Sequence, residues 1–150
     1  MDKAQVGKCG ERVAARYLGR HGYKIIDRNI HLSHQEIDIV AVNKQFIVFA
    51  EVKTRVKHPE QVDYLSSPAA AVTYQKQSHL LRAASEYLRR TNYTLQPRMD
   101  VIEVYLAPEN DLNFFAKVIE KLSCRLGISN RCVLHINHIE NAFGLHGYRS

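Results

Sequence analysis

Cysteine is scarce in this sequence of 150 residues, which contains three: Cys9, Cys124 and Cys132. An odd number without close pairing argues against a disulfide framework and fits a reducing compartment. A zinc cluster of the last two with His135 and His138 is disfavoured, because the spacing is not a common zinc-binding pattern. We therefore interpret the cysteines as buried thiols.

Long apolar runs are also missing. No stretch approaches the roughly 18–20 consecutive apolar residues that would span a bilayer. Residues 1–5 lead into a charged amphipathic segment, so no secretory signal is visible. No internal repeat, low-complexity tract or linker interrupts the chain. We expect a cytoplasmic protein without a membrane partner.

The composition is otherwise that of an ordinary globular protein. Hydrophobic residues make up 45% of the chain and charged residues 24%, and 150 residues suit one domain, which we assign to residues 1–150. The net charge is +6. A basic domain of this size suits a polyanionic partner, nucleic acid first. Charge also serves solubility, so it does not decide the function by itself.

The first half of the sequence predicts a helix followed by three strands. Residues 3–21 have a helical period that ends at Gly22, which can adopt the left-handed conformation that closes a helix. Residues 23–27, 36–42 and 46–53 are rich in β-branched and aromatic side chains. The last two segments should pair as a hairpin.

The second half alternates between helices and strands. Ser67-Pro68 should begin a helix over residues 69–90. Residues 98–107 and 132–139 are predicted strands, and residues 112–126 are a predicted helix. The whole order of elements predicts an α/β sandwich with a mixed sheet.

Charged residues lie inside the two most hydrophobic strands. Glu36 and Asp38 belong to one predicted strand, and Glu51 and Lys53 to the next. Residues two apart on a strand share a face, and hairpin pairing can place the two pairs opposite each other. Carboxylates are rarely buried in apolar surroundings without a reason. This arrangement indicates a functional site.

Asp38 and Glu51 are the ligands that we predict for a divalent cation. Mg²⁺ usually takes one or two protein carboxylates and completes its shell with water and substrate phosphate. Such an ion lowers the pKa of its bound water and stabilises charge on a phosphate. Lys53 can orient that water or stabilise the developing negative charge. The alternative is an ordinary ion pair at the end of a hairpin.

Several segments resemble the YraN-like family, which is assigned by similarity to the PD-(D/E)XK nuclease superfamily. The matching segments are Gly10-Glu11, GYKIIDRN at 22–29, EIDIVA at 36–41 and FAEVKTR at 49–55, with weaker matches at 98–101 and 138–143. Their order makes the match specific over the first half of the chain and fair over the rest.

The resemblance implies a restriction-endonuclease-like αβββαβ core, with a mixed sheet flanked by helices. An extra helix near the C-terminus, at about 111–131, is inserted relative to short family members. Gln35 stands where the family usually has Gly, which would alter the backbone leading into the site. The implied catalytic positions are Glu11, Asp38, Glu51 and Lys53, and Glu36 belongs to the same motif.

The function that we expect is a metal-dependent nuclease. It would use Mg²⁺ or Mn²⁺ to hydrolyse phosphodiester bonds, in DNA ahead of RNA, and it could be selective for nucleic-acid structure. Candidate phosphate contacts are Arg55, Lys76 and Arg98. Two alternatives stay open. One is a catalytically inactive nucleic-acid-binding module on the same fold, and the other is a subunit that is active only with a partner docked on the helix at 112–126.

Overall fold

Two helices and five strands form in residues 2–62, 72–108 and 133–144, which are the residues that this computed structural model describes. A 3₁₀ turn at Pro59–Gln61 follows the third strand. In chain order the elements are α1 (Lys3–Arg20), β1 (Lys24–Leu32), β2 (Gln35–Val42), β3 (Phe46–Val56), α2 (Tyr74–Arg90), β4 (Gln96–Leu106) and β5 (Val133–Phe143).

The strands form one mixed sheet in the order β1-β2-β3-β4-β5. β3 and β4 run parallel, from the pair Phe46 and Gln96 to the pair Val56 and Leu106. The other neighbouring strands are antiparallel. A parallel pair needs a crossover connection, and α2 lies in the segment that joins these two strands. The predicted α/β class with a mixed sheet is confirmed.

α1 begins and ends where its terminal residues dictate. The Asp2 side chain accepts a hydrogen bond from the backbone N–H of Gln5, and the side-chain oxygen of Gln5 accepts one from the backbone N–H of Asp2. This capping box satisfies amide groups that have no partner within the helix. At the other end Gly22 has a φ of +86°, as predicted for the residue that closes the helix.

The two helices cover opposite faces of the sheet. One core cluster, which we call the α1 layer, joins Val13, Ala14 and Leu18 of α1 to Val48 and Ala50 of β3, among others. The other cluster, the α2 layer, comprises Ile47 and Phe49 of β3, Met99 and Val101 of β4, and Leu80, Ala83, Ala84 and Tyr87 of α2, among others. Successive side chains of β3 thus enter the two layers alternately.

Several predicted boundaries differ from the structure. The first strand does not end at residue 27 but continues to Leu32, and the last strand continues to Phe143. The second predicted helix does not include Val72 and Thr73, because Thr73 is an extended N-cap whose hydroxyl accepts from the backbone N–H of Lys76. The proposed start at 67–68 and the helix at 112–126 lie outside the described residues.

Within the described ranges, no helix combines the length and the apolar character needed to cross a bilayer.

Candidate active site

The regular alternation of β2 is interrupted at Asp38. Ile37 packs into the α2 layer, whereas Ile39 packs into the α1 layer. Two residues this far apart on a regular strand would share one face, so the strand exchanges its faces between them. Asn29 lies between their pairing partners on β1 and has a φ of +49°, a conformation that Asn tolerates better than most residues. The change of face therefore falls at Asp38, between two apolar residues of β2 that pack into different layers.

Asp38 directs its carboxylate toward β3. Its Oδ2 lies 2.7 Å from the backbone N of Val52, which donates a hydrogen bond to it. The pairing of β2 with β3 extends to Ile39 and Ala50, so this side-chain bond follows directly where the ladder ends. Burial, followed by the negative charge of Glu51, raises the pKa of Asp38 to about 7, although the Val52 N–H opposes the rise.

Glu51 is the most deeply buried carboxylate of the group, with 5% of its surface exposed. Its Oε1 lies 3.1 Å from Nζ of Lys53 and 3.5 Å from Nζ of Lys76. Its Oε2 is the one buried side-chain oxygen or nitrogen of the described residues that has no hydrogen-bond partner. A buried oxygen without a partner is costly unless another group binds it.

Lys53 and Lys76 reach Glu51 from two different elements. Lys53 follows two residues after it on β3, so both side chains leave the same face of the strand. Lys76 lies in the first turn of α2, behind the Thr73 cap. The sequence predicts a phosphate contact for Lys76 but not its ion pair with Glu51, because nothing in the sequence fixes how α2 packs on the sheet.

Glu11 reaches the same region from α1. The preceding Gly10 lies so close to β3 that a Cβ at this position would stand 1.7 Å from Oγ1 of Thr54. Burial and the charge of Glu36 raise the pKa of Glu11, with Glu51 adding a smaller rise and a hydrogen bond from Asn29 acting in the opposite direction. The close approach of α1 at Gly10 therefore sets the position of Glu11.

Glu36 occupies the outer side of the cluster. Its side chain is 43% exposed, and Oε1 lies 3.8 Å from Nε2 of His31, its pairing partner on β1. The neighbouring Gln35, at the position where a Gly was expected, is buried and donates a hydrogen bond from Nε2 to the carbonyl oxygen of Glu36. Glu36 contributes negative charge that raises the pKa of both Glu11 and Asp38.

All five predicted catalytic positions thus lie in one region, and they differ in burial and in the elements that carry them. In the part of the chain that the structure describes, no three Asp, Glu, His or Cys side chains come together in a way that could hold a metal ion by themselves. The arrangement is one deeply buried carboxylate, one half-buried carboxylate with a raised pKa, two lysines and two outer glutamates.

Two of the predicted phosphate contacts have different surroundings. Arg55 lies two residues beyond Lys53, and its side chain is 42% exposed, with Nε 3.9 Å from Oε1 of Glu103. Arg98 is 7% exposed and forms a two-pronged pair with the fully buried Asp100 at 2.7 and 2.8 Å. In this structure Arg98 is therefore a core residue, and we do not retain it as a surface contact.

The Arg98–Asp100 pair belongs to a buried polar cluster that sequence reasoning missed. His138 Nε2 lies 2.7 Å from Oδ2 of Asp100, and Tyr23 accepts a hydrogen bond from Arg98 at 2.7 Å. Burial by itself would raise the pKa of Asp100, but the hydrogen bonds of His138 and Arg98 outweigh it, and the pKa is lowered. The spacing Arg-x-Asp on one strand was the available signal, since such residues share a face.

The fold and the site define an α/β domain in which one sheet carries a buried carboxylate beside two lysines. Comparison with known proteins places this domain in a family: residues 10–104 match the family described as "Uncharacterised protein family UPF0102". The match spans the segment from Gly10 to β4 and contains every predicted site residue.

Individual relatives support the assignment. A UPF0102 protein of Caldanaerobacter subterraneus subsp. tengcongensis is 38% identical over 144 residues, which cover 95% of this chain and 98% of the relative. A UPF0102 protein of Syntrophotalea carbinolica is 46% identical over 105 residues, 68% of this chain and 80% of the relative. One of Clostridium botulinum is 38% identical over 117 residues, 77% and 90% of the two chains. The chain belongs to the UPF0102 family.

Proposed function

We propose that this protein is a divalent-metal-dependent nuclease with a restriction-endonuclease-like core of the PD-(D/E)XK type. The observation that carries the proposal is the Glu51 carboxylate. One of its oxygens is shared by Lys53 and Lys76, while the other is buried without a partner. The adjoining Asp38 has a pKa raised to about 7 by burial and by Glu51, so its ionised form is disfavoured in the absence of a positive ion.

The donor atoms suit a hard divalent ion such as Mg²⁺ or Mn²⁺. Asp38 and Glu51 would hold it, since Mg²⁺ in proteins commonly takes one or two carboxylates and leaves its other positions to water and phosphate. A positive ion would also give the buried Oε2 of Glu51 a partner and favour the ionised form of Asp38. When bound, the ion would lower the pKa of a water molecule and withdraw charge from a phosphate.

The protein's own residues would position and neutralise the reacting groups. Hydrolysis forms a bond from a water oxygen to phosphorus and breaks the bond from phosphorus to the leaving oxygen, and negative charge grows on the phosphate oxygens meanwhile. Lys53 and Lys76 are each about one-third exposed, so their ammonium groups are accessible to a substrate while they stay anchored to Glu51. Cations held in place in this way stabilise a charged transition state.

Glu11 and Glu36 would act from the outer side of this group. Burial and the charge of Glu36 raise the pKa of Glu11, which favours its protonated form relative to an ordinary glutamate. Glu11 would assist as an outer ligand beside the ion held by Asp38 and Glu51.

The test is a cleavage assay with purified protein on plasmid, single-stranded and branched DNA and on RNA. Each substrate is tested with Mg²⁺, with Mn²⁺ and with a chelator, beside the variants Asp38→Asn and Glu51→Gln. We expect cleavage that requires the ion and is lost in both variants. If the wild type cleaves nothing but binds nucleic acid, the inactive binding module is correct. Undiminished cleavage by Asp38→Asn would place the activity elsewhere.

A further inference from the structure

An exposed row of four basic residues runs along α1. Lys8, Arg12, Arg16 and Arg20 follow one another at intervals of four, and all four are exposed. Residues four apart on a helix are neighbours on its surface, and each step rises about 6 Å along the axis. We call these four residues the α1 row.

Much of the chain's net positive charge lies on the α1 row, where the acidic side chains that the structure describes do not neutralise it. α1 contains five Lys or Arg and a single Glu, so it carries +4 of the net +6. The single acid, Glu11, lies at the border of the buried face. Among the residues that the structure describes, no carboxylate lies within ion-pair distance of any member of the row. On α2, by contrast, Lys76 and Arg90 pair with Glu51 and Glu86.

The placement of these four charges destabilises α1 when no anion is bound to it. Like charges four residues apart repel each other, and the row contains three such pairs. The acidic cap Asp2 and the terminal Arg20 suit the helix dipole, but Lys8, Arg12 and Arg16 lie outside the first and last turns and gain little from it. Apart from Arg20, the α1 row therefore does not serve the stability of α1, and a polyanion bound along the row would screen the repulsion.

The row also leads away from the candidate active site. Lys8 precedes Glu11 by three residues and is its neighbour on the helix surface. Near this point Gly10 lies against Thr54 of β3. Arg20 is about 18 Å farther along the axis, which corresponds to roughly five nucleotide steps of one DNA strand. A strand that lies along the row would have one end at Glu11.

We infer that the α1 row is a binding surface for the phosphodiester backbone of a nucleic acid and guides one strand toward the candidate site. The orientation toward the site rests on the proposed function, whereas the binding itself does not. A membrane surface fits less well, because the apolar face of α1 is already buried against the sheet through Val13, Ala14 and Leu18. The row offers charge without an apolar face that could enter a lipid layer.

The test compares two charge-matched double variants. Arg12→Gln with Arg16→Gln removes the middle of the row, while Arg82→Gln with Arg89→Gln removes two exposed arginines of α2, on the opposite face of the sheet. Binding of fluorescein-labelled duplexes of DNA and of RNA is measured by anisotropy with a chelator present, so cleavage plays no part. Melting temperatures verify that both variants are folded.

We expect the row variant to lose affinity by about tenfold or more for at least one of the two duplexes. The slope of log K against log salt should become shallower by about 1.8, since each neutralised phosphate contributes about 0.9. The α2 variant should bind like the wild type.

Three results would overturn the inference: equal losses in both variants, no loss in either, or no binding by the wild type. The inference would also be overturned if the row were needed for binding to vesicles of phosphatidylserine and phosphatidylcholine while the protein did not bind nucleic acid. Wild type that binds through the row but does not cleave would support the surface and reject the nuclease.

Discussion

The carboxylate of Asp38 accepts the backbone N–H of Val52 at 2.7 Å. Val52 stands between Glu51 and Lys53 on β3, so this bond fixes the strand segment that carries both residues against β2. The same bond holds Asp38 beside the buried Glu51, whose charge helps to raise the pKa of Asp38. Asp38 therefore holds the site together, while its surroundings disfavour the ionised form of its carboxylate.

Replacement of Asp38 by Asn should stabilise the protein in the absence of metal. Because the folded pKa of about 7 is raised above the ordinary value of 3.8, stability that is present at low pH is lost as the pH rises through this window. Asn keeps an oxygen that can accept the Val52 N–H and has no charge to lose. We expect the melting temperature of Asp38→Asn to exceed that of the wild type by a few degrees at about pH 8, on the order of 3 °C for each kcal/mol gained.

Two controls sharpen this measurement. Below about pH 3.8 the pH-dependent part of the difference should vanish, since Asp38 is then protonated in both the folded and the unfolded wild type. Added Mg²⁺ should raise the melting temperature of the wild type more than that of the variant, because a ligand that binds only the folded state stabilises it. A variant that melts below the wild type at every pH would show that the charge of Asp38 is not a cost.

Replacement of Gly10 by Ala should destabilise the chain. A Cβ at this position would lie 1.7 Å from Oγ1 of Thr54 and 2.8 Å from its Cβ and Cγ2, so α1 would have to move away from β3. Overpacking of this kind costs about 1–3 kcal/mol. Urea unfolding measures the loss, and the double variant Gly10→Ala with Thr54→Gly should recover part of it.

Gly7 provides the matched control for this prediction. It lies in the same helix, and a Cβ there would meet nothing within 4 Å. Gly7→Ala should therefore raise the free energy of unfolding by about 0.5–1 kcal/mol, since Ala favours a helix over Gly. Similar effects of the two substitutions would argue against the close contact of α1 with β3.

The sequence predicted the elements of the fold better than their ends. Helical and strand periods identify α1, β2 and β3 because these segments have strong hydrophobic patterns. β1 was predicted too short, since residues 28–32 alternate weakly and include Asn29 with a positive φ. α2 begins at Tyr74 because Thr73 is extended and its hydroxyl caps the helix, and the sequence pattern of the alanine-rich segment does not mark this break; Ser67-Pro68 lies outside the described residues.

The arrangement of the candidate site could be predicted from the sequence only in part. Glu51 and Lys53 share a face by strand periodicity alone, and their 3.1 Å contact agrees with that expectation. The reversal of β2 at Asp38 could not be predicted, because it depends on a distortion shared with β1. The burial of Arg98 was not predicted, since an arginine is exposed in most proteins. The Arg-x-Asp spacing indicates that Arg98 and Asp100 share a face, but not that the pair is buried beside His138.

Replacement of Arg98 should reduce stability without a specific effect on nucleic-acid binding. Its guanidinium is bonded to both oxygens of the fully buried Asp100, and removal of one partner from a buried pair costs about 3–5 kcal/mol. Arg98→Lys keeps the charge but cannot form both bonds at once, so we expect a smaller loss than for Arg98→Ala. Arg89→Ala, at an exposed position of α2, is the control and should change stability little.

The same cluster predicts how the protein responds to acid. The pKa of Asp100 is lowered below its usual value of 3.8, so its stabilising effect is present above that pH and is lost as the pH falls through the folded pKa. We expect the wild type to lose stability below about pH 4, and Asp100→Asn to show a shallower loss from a lower starting stability. Parallel pH profiles for the two proteins would contradict this assignment.

The last prediction concerns the two lysines that share Oε1 of Glu51. Removal of either leaves the buried carboxylate with one cation, whereas removal of both leaves it with none. A buried charge without a partner is strongly destabilising, so the losses for Lys53→Ala and Lys76→Ala should not add. The loss in free energy of unfolding for the double variant should exceed the sum of the two single losses by about 1–3 kcal/mol. This is the range of coupling between residues in one charge network. Lys44→Ala, in the exposed β2–β3 turn, is the control, and its loss should be additive with that of either lysine.

If the proposed chemistry holds, Lys53→Ala should also slow cleavage by about 10²–10³-fold, the effect of losing one fixed group that stabilises charge. Additive losses in stability, with cleavage unchanged, would mean that the two lysines are ordinary surface cations.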